Sequence, residues 1–100
     1  MKKVAIIGGD NKQGYLKKCK EKNLELLFHD GRIKRKGSKE FYEKLIKEVN
    51  CVILILNAVS HKTMYEVREV AKKFDIPIIY HKTKGVNSTI RKIHDKVAFN

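Results

Sequence analysis

Gly8-Gly9-Asp10 closes an apolar run, Val4-Ala5-Ile6-Ile7, and that junction is the chain's first candidate for chemistry. Paired glycines let a backbone turn tightly and leave its N–H groups uncovered, so a flat or anionic molecule could approach closely. The carboxylate that follows could accept a hydrogen bond from a ribose or a base edge. Three more polar clusters come after apolar runs: His29-Asp30-Gly31, the stretch Asn57 to His61, and Gly85-Val86-Asn87-Ser88. A catalytic reading takes Asp10 or His61 as general base and Ser60 or Ser88 as nucleophile, giving a hydrolase or phosphotransferase. Against it, both serines stand where a helix needs an N-cap, and capping alone accounts for the residue type.

The glycine loop matches neither established phosphate cradle. Residues 8–14 fail G-x-G-x-x-G because position 10 is Asp, and Gly9-x4-Gly14 is followed by Tyr15 rather than Lys-Ser/Thr. What survives is the general capacity of a helix N-terminus to hold an anion. Metal binding is not expected. His29, His61 and His81 all fall at or just beyond strand ends, yet the second and fourth strands should be three spacings apart, roughly 14 Å. Ligand bonds near ~2 Å cannot span that distance. The sequence does not identify a cofactor.

The elements that position these residues alternate regularly. A first amphipathic helix, Asn11 to Lys22, carries Tyr15, Leu16 and Cys19 on one side, with Asp10 or Asn11 as cap and Asn23 as stop. Strand two is Leu24 to His29, where the charge of Glu25 points to a sheet edge. Gly31 to Gly37 is a basic loop holding Arg32, Lys34, Arg35 and Lys36. Ser38 then caps a helix whose Phe41, Tyr42, Leu45, Ile46 and Val49 form one face. Cys51 to Leu56 is a third strand, apolar throughout. Ser60 caps a third helix carrying Met64, Val67, Val70, Ala71 and Phe74, the fourth strand is Ile76 to His81, and the last helix carries Ile90, Ile93 and Val97.

Strict alternation implies parallel strands, right-handed crossovers and helices on both faces. The expected fold is therefore α/β: a three-layer Rossmann-like or flavodoxin-like domain filling the whole chain, residues 1–100, with a four-stranded parallel sheet of order 2-1-3-4. Strands 1 and 3 are then adjacent and central, and the switch point between Gly8-Gly9-Asp10 and Asn57-to-His61 is where a ligand should bind.

Composition supports one domain and excludes several classes. With 100 residues and 42% hydrophobic content the chain can bury a core but not build a second domain. No apolar run approaches the roughly 20 residues that span a bilayer, and Met1-Lys2-Lys3 leads into a strand rather than a signal peptide, so a cytoplasmic protein is expected. Cys19 and Cys51 lie far apart and read as small buried residues. The net charge of +12, from 23 Lys+Arg against 11 Asp+Glu, favours a polyanion or an anionic small ligand. Lysine dominates that charge, however, and specific phosphate and base readers favour arginine. The apolar fourth strand, Ile76 to Tyr80, is a poor unprotected edge and points to a homodimer.

Gly8-Gly9-Asp10, His29-Asp30-Gly31, Ser60-His61 and Gly85-Val86-Asn87-Ser88 together make nearly the whole chain resemble an uncharacterised bacterial family, domain of unknown function 2325. The resemblance implies that these positions surround one site and names no reaction. The expected function is the binding of an anionic molecule, most plausibly a nucleotide, by Gly8, Gly9, Asp10, Asn11, His29, Asp30, Asn57, Ser60, His61, Gly85 and Ser88. In that arrangement Gly8, Gly9 and Ser88 N–H groups meet phosphates, Asp10 a ribose or base edge, and His61 a polar group. The alternatives are nucleic-acid binding through Arg32, Lys34, Arg35 and Lys36, and catalysis by Asp10 and His61.

Overall fold

The structure, a computed structural model, describes residues 2–32, 38–82 and 85–97. Four strands, β1 (Lys2–Ile7), β2 (Leu24–His29), β3 (Cys51–Ile55) and β4 (Ile78–His81), alternate with four helices, α1 (Lys12–Glu21), α2 (Ser38–Ile46), α3 (His61–Lys73) and α4 (Val86–Val97). All strand pairs are parallel and the sheet order is β2-β1-β3-β4. β1 and β3 are central, as the unbroken apolar runs at residues 4–7 and 51–55 require: residues buried on both faces of a sheet cannot alternate with polar ones.

Side-chain alternation divides the interior into two cores. Val4, Ile6, Cys51, Ile53 and Ile55 face Tyr15 and Cys19 of α1 and Ile90 and Ile93 of α4. Ala5, Ile7, Val52 and Leu54 face Tyr42 and Ile46 of α2 and Val67 and Val70 of α3. Both cysteines are buried, and burial pushes the Cys19 thiol up to about 11, so it stays protonated and unreactive at neutral pH.

Several boundaries differ from expectation, each for a local reason. α1 begins at Lys12 because the Asn11 side chain accepts the Gly14 N–H at 3.2 Å; Asn11, not Asp10, is the cap. Asn23, by contrast, follows the end of α1 as expected, with φ +58°. Ser38 is the first residue of α2 rather than a cap before it, and its hydroxyl donates to Glu66 Oε2 at 2.5 Å. β3 ends at Ile55, since Leu56–Ala58 curls into a 3-10 turn. β4 starts at Ile78, after Pro77, whose carbonyl accepts the Val52 N–H at 2.9 Å. α4 starts at Val86, so Ser88 lies within its first turn and is not its N-cap.

Candidate functional site

The carboxyl ends of β1 and β3 lie side by side at the centre of the sheet, and the glycine turn after β1 takes the form its residues allow. Gly8 and Gly9 have φ of +123° and +91°, conformations that L side chains rarely adopt. Gly31, which follows β2, has φ +82°. Between these turns sits Val59. A Cβ on Gly31 would approach Val59 Cγ1 to 2.7 Å, and one on Gly8 would approach it to 3.1 Å and Ile55 Cβ to 2.9 Å. The crevice is therefore floored by Val59. A ligand would rest on this floor rather than enter between the strands.

That floor changes the part played by Gly8. Its N–H donates to His29 O at 2.8 Å, and the residue is buried. Gly8 is thus a close-packing residue and not a phosphate donor, contrary to expectation, because the β1–β2 ladder continues one residue past the strand. Gly9 is less buried and Asp10 is exposed.

The sheet sorts the remaining site residues into two groups. On the α2/α3 side, His29 Nδ1 accepts the Gly31 N–H at 2.9 Å, which places a neutral ring's proton on Nε2. Its 3.7 Å approach to Asp30 is accordingly not a charge pair while that bond is made. The Asp30 carboxylate accepts the Arg32 N–H at 2.9 Å, and the His29 ring packs against Phe41 and Tyr42. Ser60 caps α3 as expected, accepting the Thr63 N–H at 3.1 Å. Its hydroxyl donates to Thr63 Oγ1, which donates in turn to Gly31 O at 2.9 Å. Ser60 is committed as a cap and not poised as a nucleophile. His61, the first residue of α3, is exposed, as is Asn57, whose N–H donates to Lys82 O at 3.2 Å.

On the α1/α4 side stand Asp10, Asn11, Gly85, Ser88 and a residue weighed in the sequence only as a metal ligand, His81. Its side chain is buried, with Nε2 3.0 Å from Ser88 Oγ. Ser88 Oγ also lies 3.1 Å from Gly85 O, a carbonyl that accepts the Thr89 hydroxyl at 2.7 Å as well. One consistent set of protons runs from His81 Nε2–H to Ser88 Oγ–H to Gly85 O, which tethers the start of α4 to the end of β4. Tyr15, fully buried below, hydrogen-bonds Thr89; burial raises its pKa, with that bond lowering it and the Asp10 carboxylate raising it.

Burial, and secondarily the charge of Lys92, holds the His81 pKa below the usual imidazole value. The unfolded chain therefore binds a proton at His81 more readily than the native chain does. The associated stability is present above the ordinary histidine value of about 6.5 and is lost as pH falls towards the depressed native value. The melting temperature should consequently fall more between pH 7 and pH 5 in the parent than in His81→Gln. Parallel pH–melting curves would show that His81 does not carry this dependence.

Thr63 and Thr89, both buried hydroxyls that fix loop carbonyls, were missed in the sequence. The spacing Ser60-x-x-Thr63 was a readable signal, because a residue three beyond a cap commonly joins the capping bonds. Of the basic loop, Arg32 is exposed; Lys34, Arg35 and Lys36 lie outside the described residues. Among the described residues no three His, Cys, Asp or Glu side chains gather to hold a metal, and no helix is long and apolar enough to cross a membrane.

Comparison with known proteins agrees with this architecture. A solution structure of a de novo designed Rossmann 2x2 fold protein superposes with a TM-score of 0.55 and 24% identity, covering 95% of this chain and 86% of that one; the likeness concerns the fold alone. A UPF0751 protein of Desulfitobacterium hafniense (strain Y51) is 41% identical over 92 residues, spanning 91% of this chain and 90% of the relative. A UPF0751 protein of Bacillus anthracis is 27% identical over 85 residues, 85% of each chain. The family model for uncharacterized proteins conserved in bacteria, DUF2325, matches residues 3–97. With that match running through every strand and helix described above, the chain belongs to the DUF2325 family.

Proposed function

We propose that the protein binds an anionic small molecule, a nucleotide, on the rim above Val59, at the carboxyl ends of β1 and β3. The reading rests above all on Asp10 and His61 standing exposed just beyond two adjacent, central, parallel strands. At such a switch point the loops diverge and leave room that a ligand can fill. Asp10 accepts from a ribose or base edge. His61 offers a polar contact beside the α3 N-terminus, whose dipole favours negative charge. Gly9 permits close approach, and Ser88 with the first turn of α4 presents backbone N–H groups towards phosphate oxygens. His29, Asp30, Asn57, Ser60 and Gly85 shape the surrounding loops.

The affinity of this rim comes from hydrogen bonds and helix dipoles rather than from an enclosed apolar cavity, so the ligand must be polar and charged. Native mass spectrometry of the freshly purified protein tests the reading. A mass excess that dissociates as one phosphorylated, ultraviolet-absorbing molecule is expected. A chain free of added mass, still unaltered after incubation with ATP and AMP, would remove the nucleotide. The edge strand β4 leaves Tyr80 exposed, which suits pairing with a second copy; light scattering showing only monomer at high concentration would contradict that pairing.

A further inference from the structure

The positive charge is unevenly distributed over the two helical layers. α1 carries Lys12, Lys17, Lys18 and Lys20 against one acid, Glu21, and Lys22 follows at its end. Its neighbour α4 adds Arg91, Lys92 and Lys96 against Asp95. On the opposite face α2 balances Lys39 and Lys44 with Glu40 and Glu43, and α3 sets Lys62, Arg68, Lys72 and Lys73 against Glu66 and Glu69, so that layer is the less positive of the two. A surface selected only for solubility has no need of this asymmetry. The cationic layer also contains a groove. Between α1 and α4 lies an open cleft of about 440 Å³ lined by Lys18, Glu21, Lys22, Asn87, Ile90 and Arg91.

The groove's one carboxylate is already engaged, since Glu21 lies 3.3 Å from Lys18 Nζ. Among the described residues no carboxylate pairs with Lys22 or Arg91. Arg91 presents a planar guanidinium, which binds phosphate in a bidentate fork, and Lys22 supplies a compact point charge. Asn87 offers an amide for sugar and phosphate oxygens, and Ile90 gives an apolar floor. No aromatic side chain lines the groove, so stacked bases have no platform there.

From these observations we propose that the α1/α4 groove is a second site, separate from the rim above Val59, and that it holds the phosphate backbone of a single-stranded nucleic acid without regard to sequence. A strand can thread its phosphates between the two helices with its bases turned outward. The net charge of +12 draws the polyanion in from a distance.

Fluorescence anisotropy with a short labelled oligothymidylate and with the corresponding oligouridylate tests this. Two phosphate contacts to a single strand, by Lys22 and Arg91, give a log–log salt slope of about −1.4, so affinity should fall about sevenfold between roughly 50 and 200 mM salt. The double reversal Lys22→Glu with Arg91→Glu should weaken binding at least tenfold and flatten that slope. The reversal Lys39→Glu with Lys44→Glu changes net charge equally and should cost less than about threefold, because distant charges are screened. Asp10→Ala and His61→Ala should leave oligonucleotide binding unchanged, which separates this site from the rim. Circular dichroism confirms that each variant is folded. The proposal is overturned if the parent does not bind at low salt, if the two reversals cost the same, or if Asp10→Ala abolishes binding.

Discussion

Gly8→Ala is expected to cost about 3 kcal/mol of stability and to lower the melting temperature by about 15 °C, through backbone strain and steric overlap together. At φ +123° an added Cβ meets Ile55 Cβ at 2.9 Å and Ile55 O at 3.2 Å, and neither can withdraw without moving the end of β3. Gly31→Ala, at φ +82°, should cost about 2 kcal/mol, because its principal obstacle is Val59 Cγ1 at 2.7 Å. The two sites are therefore separable. Trimming Val59 to Ala in the same chain should relieve much of the steric part at Gly31 and little at Gly8. Urea unfolding of the two single variants and their Val59→Ala doubles measures this. Equal rescue at both positions would show that contact with β3 is not what holds Gly8.

Tyr15→Ala should cost about 4 kcal/mol, a loss comparable with the whole stability of a marginal domain, because a fully buried aromatic leaves a cavity that rigid neighbours cannot close. Its ring packs between α1 and the sheet, stacked 5.9 Å from Phe28. Its hydroxyl bonds Thr89 near the start of α4. Tyr15→Phe keeps the ring and removes that bond, and should cost only about 1 kcal/mol. The difference between the two urea midpoints separates packing from hydrogen bonding. If Tyr15→Phe cost as much as Tyr15→Ala, the hydroxyl network and not the ring would hold α4 in place.

The sheet was legible in the sequence because burial writes itself into composition: Val4 to Ile7 and Cys51 to Ile55 carry no polar residue, and only central strands have both faces covered. Pattern also placed one cap at Ser60 and narrowed another to Asp10 or Asn11, of which the structure uses Asn11. It failed at Ser88, since a polar run such as Lys82 to Ser88 carries no periodicity to say where a helix begins. The positions of the site residues along the strands were readable, but not their sorting between the two faces of the sheet. His29 faces α2 and His81 faces α4, a distinction set by the register of each strand. Val59 as the crevice floor was not readable either. One valine in a loop looks like any other until the glycines that flank it in space are known.

The rim account is tested most directly by titration calorimetry with the nucleotide recovered from the purified protein, on the parent, Asp10→Ala, His61→Ala and a chain in which Arg32, Lys34, Arg35 and Lys36 are all neutralised. Each single rim substitution should weaken binding by at least about 1 kcal/mol, roughly fivefold, the scale of a lost hydrogen bond to a charged ligand. The loop substitutions should cost little at physiological salt, where exposed charges are screened beyond about 8 Å. Binding that survives Asp10→Ala and His61→Ala but disappears with the basic loop would contradict the account and move the ligand away from the ends of β1 and β3.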